Sequence, residues 1–124
     1  MSKTRIISII DDDESVRSSI EDLMSALGFA ARAFGSAEEF LNSPDRDRTA
    51  CLITDLQMPG ASGQELQSHL LAKGHAPPMI FITSFPDKHI RERVMAKGAL
   101  AFLEKPLDCQ MLAGLVQKAL AAPR

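Results

Sequence analysis

Five short apolar runs, at residues 5–10, 29–34, 50–55, 79–83 and 99–103, recur along the chain with room for one helix after each. The runs are rich in β-branched and other apolar residues. Ile6-Ile7-Ser8-Ile9-Ile10 and Met79-Ile80-Phe81-Ile82-Thr83 show almost none of the polar alternation of a strand with one wet face. Such runs read as strands of a parallel sheet buried on both sides. The stretches between them carry apolar residues at helical spacing instead. Val16, Ile20, Leu23 and Leu27 form one stripe, Phe40 and Leu41 a second, and Leu66, Leu70 and Leu71 a third. Ile90 with Val94, and Leu112 with Leu115, Val116 and Leu120, supply the last two. Strand and helix alternating five times require parallel pairing, right-handed crossovers and helices on both faces of the sheet. The fold class this predicts is α/β, a doubly wound flavodoxin-like (βα)5 sheet of order 2-1-3-4-5.

Local signals agree with that division. Asp13, Asp87 and Asp108 suit N-caps, and Ser36 with Glu39 and Ser62 with Glu65 have the spacing of capping boxes. Gly28, Gly74 and Gly98 stand where helices should stop. Ser43-Pro44 ends the brief second helix, and Asp45-Arg46-Asp47-Arg48 reads as a charged loop. A chain of 124 residues is expected to form one domain, residues 1–124. The formal net charge of -2 argues against binding a nucleic-acid backbone. No apolar run has the length of a membrane span and no signal peptide precedes the first strand, so a cytoplasmic location is expected. Cys51 and Cys109 lack metal-ligand spacing and read as reduced thiols.

The chemistry lies where the strands end. Ligands of open α/β sheets bind outside the carboxyl ends of the strands, and here those ends carry Asp11 and Asp12, Asp55, Thr83 and Lys105. Asp55 closes Cys51-Leu52-Ile53-Thr54 and is followed at once by Leu56-Gln57-Met58-Pro59-Gly60; alone, it could equally be a turn-opening acid. In a 2-1-3-4-5 sheet the first and third strands are neighbours, which sets Asp12 beside Asp55. Two carboxylates about 4 Å apart repel by ~4 kcal/mol at an effective dielectric near 20, so the cluster must take up a proton or a cation. Oxygen ligands with room for water suit Mg²⁺. An ammonium from Lys105 and a hydroxyl from Thr83 complete a set that fits a phosphoryl group, whose transfer needs positioning and charge neutralisation above all.

Ile10-Asp11-Asp12-Asp13-Glu14, Thr54-Asp55-Leu56-Gln57-Met58-Pro59-Gly60, Ile82-Thr83 and Phe102-Leu103-Glu104-Lys105-Pro106 occur in an order and spacing that resemble the receiver domain of two-component response regulators, CheY-like in fold and closest to the FixJ-like group. The similarity covers nearly the whole chain. It implies that Asp55 is the phosphoacceptor, taking a phosphoryl group from a sensor histidine kinase or a histidine phosphotransfer protein. It implies Mg²⁺ held by Asp12, Asp55 and the Gln57 backbone carbonyl, with Asp11 in the outer shell. Thr83 and Lys105 would contact phosphoryl oxygens, the Lys105-Pro106 bond would be cis, and Phe102 would swing as Thr83 moves. The output surface would be the fourth helix, fifth strand and fifth helix, acting on a downstream partner or through a phosphorylation-dependent homodimer, with no nucleic-acid or membrane contact by this chain. A free-standing receiver is preferred over the regulatory half of a FixJ-like transcription factor.

Ser84 departs from the family, which usually has Ala or Gly after the switch hydroxyl. Phe85 and Gln57 are expected to flank the path of an attacking water and so to modulate dephosphorylation. Plainer readings exist for isolated residues: Thr83 as a strand-end hydroxyl, Lys105 as a loop charge, Phe102 as a core ring. Lys88, Arg91, Arg93 and Lys97 read as a solvated helix face, and His69, His75 and His89 are given no role. Two other functions compete. A Mg²⁺-dependent phosphatase with an aspartyl nucleophile usually needs a second Asp two residues on, where Gln57 stands. A flavin mononucleotide binder shares the fold, but its phosphate would be repelled by Asp11, Asp12 and Asp55.

Overall fold

The computed structural model describes residues 5–74 and 76–121. The elements run β1 (Ile6–Ile10), α1 (Glu14–Ala26), β2 (Ala30–Phe34), α2 (Ala37–Leu41), a 3₁₀ helix (Pro44–Arg48), β3 (Thr49–Asp55), α3 (Gly63–Ala72), β4 (Met79–Thr83), α4 (Lys88–Ala96), β5 (Ala101–Glu104) and α5 (Cys109–Ala121). All the strand pairs are parallel and the order is β2-β1-β3-β4-β5, as the alternation predicts.

Successive side chains of a strand point to opposite faces, so each central strand feeds two cores. Ile7, Ile9, Cys51, Ile53, Ile80 and Ile82 pack under α1 and α5, against Ile20, Met24, Leu112 and Val116. Ile10, Leu52, Met79 and Phe81 face the other way, toward Phe40, Leu66, Leu70 and Val94 of α2, α3 and α4. Every residue of β1, β3 and β4 is buried, whereas the edge strand β2 is partly exposed throughout. A strand buried on both faces has no solvated side to mark with polar residues, and this is why the three runs were nearly uniform in sequence.

Four local expectations need correction. Residues 45–48 are not a loop: Ser43 accepts from the Asp45 backbone N–H, Pro44 occupies the first turn, and the segment closes as a 3₁₀ helix. Its charges are engaged, Asp45 pairing with Arg48 and, at 3.4 Å, with Arg32. Leu71 is exposed on α3, and Gln67 takes the inward place expected of it, donating from Nε2 to the Val94 carbonyl at 3.0 Å. The buried stripe is Gly63, Leu66, Gln67 and Leu70, and Leu71 falls one step beyond it. The fifth strand begins at Ala101 instead of Ala99, because Ala99 N–H closes α4 on the Val94 carbonyl after Gly98 turns with φ +102°. The capping box forms in full at Ser62, while at Ser36 the described bond is the hydroxyl accepting from Glu39 N–H. Asp13 and Asp87 cap α1 and α4 as expected, and the Asp108 carboxylate accepts from Met111 N–H at the start of α5.

Candidate functional site

β1 pairs with both β2 and β3, and its register sets Ile10 beside Thr54, so the residues just beyond meet at one end of the sheet. One carboxylate oxygen from each of Asp11, Asp12 and Asp55 lies within 4.8 Å of the other two. Asp11 and Asp55 are buried and Asp12 is exposed, so the cluster has a closed floor and an open rim. Lys105, carried in by the turn after β5, places Nζ 2.8 Å from Asp11 Oδ2 and 3.4 Å from Asp55 Oδ2. The bond that follows, Lys105-Pro106, is cis.

The electrostatics follow from this packing. Burial raises the Asp55 carboxyl above its usual range, the Asp11 charge raises it further, and Lys105 opposes both. For Lys105, burial alone would lower the ammonium. The Asp11 carboxylate, with help from Asp55, outweighs that and leaves it above the ordinary lysine value. Asp11 Oδ1 accepts from Asp13 N–H at 2.9 Å, but Oδ2 is buried and makes no aligned hydrogen bond, since the ammonium approaches it off-line. A buried oxygen without an aligned donor, two further carboxylates beside it and a solvent-open side make a donor set suited to a hard divalent cation.

Thr83, fully buried at the end of β4, donates to Gln57 Oε1 at 2.6 Å and accepts from Phe85 N–H at 3.0 Å. The backbone beside it is tied to the lysine turn through Lys105 N–H and the Thr83 carbonyl, 2.8 Å apart. Ser84 is exposed and Phe85 is 74% exposed. Phe102 lies beside Phe81 in the β4–β5 ladder and is half-buried against the α2–α3–α4 core. Thus Asp11, Asp12, Asp55 and Lys105 form one cluster and Thr83 with Gln57 a bonded pair at the next strand end. Phe85 reaches into solvent. His69 and His89 are exposed on α3 and α4, and His75 lies outside the described residues. On α4 and at its C-cap, Lys88, Arg91, Arg93 and Lys97 are exposed; Arg93 reaches Gln64 Oε1 at 3.1 Å and Lys97 reaches Ser68 Oγ at 2.9 Å.

Three supporting residues had no signal in the sequence. Arg17 of α1 donates to the Asp11 carbonyl at 2.7 Å. Glu38 of α2 accepts from Ala61 N–H at 3.1 Å, holding the loop between Asp55 and α3. Gly63 opens α3 so close to the end of β3 that a Cβ there would stand 2.7 Å from the Asp55 carbonyl oxygen. Each acts through space from another element, and neither periodicity nor a motif marks it.

Comparison with known proteins points the same way. The profile of the response regulator receiver domain matches residues 7–117. Nodulation protein W of Bradyrhizobium diazoefficiens is 40% identical over 107 residues, 86% of this chain and 47% of that protein. Response regulator protein TodT of Pseudomonas putida is 34% identical over 118 residues, 95% of this chain and 52% of its own length. The chain therefore spans about half the length of these curated relatives. Among solved structures, FixJ-N superposes with a TM-score of 0.84 at 31% identity, covering 99% of this chain and 98% of that one. Among the described residues, no helix is long and apolar enough to cross a membrane.

Proposed function

The chain belongs to the response regulator receiver domain family, and from that premise we propose that it is a phosphorylation-controlled switch with Asp55 as its acceptor. A sensor histidine kinase or a histidine phosphotransfer protein is the donor, and the reaction takes place in the cytoplasm. An Asp55 carboxylate oxygen attacks the phosphorus of the donor phosphohistidine, the P–N bond breaks, and its electron pair returns to the imidazole. Asp12, Asp55 and the Gln57 backbone carbonyl would hold Mg²⁺, with Asp11 beside them, and the ion would supply neutralisation of phosphoryl charge. Lys105 supplies a second positive charge to a phosphoryl oxygen, and Thr83 supplies a hydrogen bond. Movement of Thr83 is coupled to Phe102 and so to the surface of α4, β5 and α5, which acts on a downstream protein, an attached output domain or a second copy of the chain.

The observation that carries this reading is the convergence of three carboxylates and one ammonium at adjacent strand ends. Incubation with acetyl phosphate and Mg²⁺, followed by intact mass measurement, is expected to add one phosphoryl group. Asp55→Asn or chelation of the metal should abolish the gain; an undiminished gain in Asp55→Asn would overturn the assignment. Phe85 and Gln57 set the lifetime of the product, Phe85 by screening the acyl phosphate from water, while the Ser84 hydroxyl adds a polar group beside the phosphoryl pocket and bears on the activation geometry. Loss of the added mass is expected to be several-fold faster in Phe85→Ala, and an unchanged rate removes Phe85 from that role.

A further inference from the structure

The Thr83 hydroxyl has a single proton to donate, and in this structure that proton goes to Gln57 Oε1 at 2.6 Å. Its oxygen also accepts from Phe85 N–H at 3.0 Å, so both partners fix the direction of the hydroxyl. Thr83 is fully buried at its strand end, whereas Gln57 is exposed in the loop two residues after Asp55. The same proton cannot also be given to a phosphoryl oxygen on Asp55. We propose that Gln57 is a positioning residue, a latch whose side-chain carbonyl holds the Thr83 hydroxyl away from the acceptor until phosphorylation competes for it.

The inference rests on the reading of Thr83 as the phosphoryl-contacting hydroxyl, and adds to it the group that Thr83 must leave. A neutral hydrogen bond contributes modestly in net terms, so removing this one should shift the balance between the held and released hydroxyl by roughly three- to ten-fold. The role differs from screening water: it acts on the unmodified protein, before any acyl phosphate exists. Glu at position 57 would keep an acceptor for the hydroxyl, while Leu would not.

The test has two arms. Methyl NMR of the unmodified protein reads the Thr83 side-chain rotamer from its couplings. Wild type and Gln57→Glu are expected to share one dominant rotamer, and Gln57→Leu to show averaging or a new one. In the second arm, the initial rate of mass gain from acetyl phosphate is followed in wild type, Gln57→Leu, Thr83→Ala and the double variant. Gln57→Leu should raise the rate about three- to ten-fold in the Thr83 background and leave it unchanged in the Thr83→Ala background, a coupling that a merely structural role would not produce. An unaltered rotamer in Gln57→Leu, or the same rate change in both backgrounds, overturns the latch. A wild type that takes up no phosphoryl group overturns the acceptor reading instead, and the rotamer arm still judges the Gln57–Thr83 contact on its own.

Discussion

Lys105→Met is expected to destabilise the domain by about 3–5 kcal/mol at pH 8, the range for breaking a buried ion pair and leaving its partner uncompensated. Asp11 is wholly buried, Asp55 nearly so, and the Lys105 ammonium is the cation that meets both carboxylates at 2.8 and 3.4 Å. The methionine replaces most of the aliphatic stem, so the loss should be electrostatic and hence pH-dependent. Asp55 already has a folded pKa raised by burial and by Asp11, and removing the lysine raises it further. With the folded value above the unfolded one, the native state holds the proton more tightly. The penalty is therefore complete above the folded pKa and shrinks as pH falls through it toward the unfolded value near ~4. In wild type the lysine's own contribution has the opposite limit: its folded pKa is raised, so its stabilisation is present below the unfolded value and lost as pH climbs past the folded one. Urea unfolding from about pH 4 to pH 8.5 follows the carboxylate-linked part of the loss. Adding Asp11→Asn to Lys105→Met should recover most of the loss; a deficit independent of pH and of Asp11 would mean that packing is responsible.

Gly63→Ala should cost about 2 kcal/mol, in the usual range for overpacking. The added methyl would stand 2.7 Å from the Asp55 carbonyl oxygen, 3.2 Å from Leu56 Cα and 3.2 Å from the Phe81 ring. Two of these three are backbone atoms and cannot rotate away. Alanine is the better helix former by up to ~1 kcal/mol, which offsets only part of the strain. Relief requires α3 to retreat or the end of β3 to move, and Asp55 moves with it. The variant is therefore expected to lose stability and, beyond that, to gain mass from acetyl phosphate at least several-fold more slowly under conditions where it remains folded. Urea denaturation and the mass time course separate the two effects. A variant as stable as wild type would show that the contact is looser than it stands here.

The fold was legible where both faces of a strand are buried. Runs such as Met79-Ile80-Phe81-Ile82-Thr83 fix the strand positions, and the helical stripes between them leave the parallel sheet as the consistent arrangement. Asp11, Asp12 and Asp55 were legible as strand-end acids for the same reason, since a buried run that stops on an acid marks the edge of the sheet. What was not legible depends on contacts across elements. Nothing around Gly63 in sequence announces the Asp55 carbonyl above it, and nothing near Glu38 announces the Ala61 N–H. Leu71 fell outside the stripe and Gln67, to which its polarity gave no inward role, fell within it, because its amide donates to the Val94 carbonyl. The 3₁₀ helix at Pro44–Arg48 was hidden because its charges pair with one another and with Arg32 on the neighbouring strand, which local composition does not reveal.

The acceptor assignment is tested most directly by locating the phosphoryl group. Protein treated with acetyl phosphate and Mg²⁺ is reduced with borohydride, which converts an aspartyl phosphate to homoserine, and is then digested and sequenced by tandem mass spectrometry. Homoserine is expected at position 55 and at no other acid. Homoserine at Asp11 or Asp12, or a stable phosphoryl group on Thr83 or Ser84, would contradict the assignment.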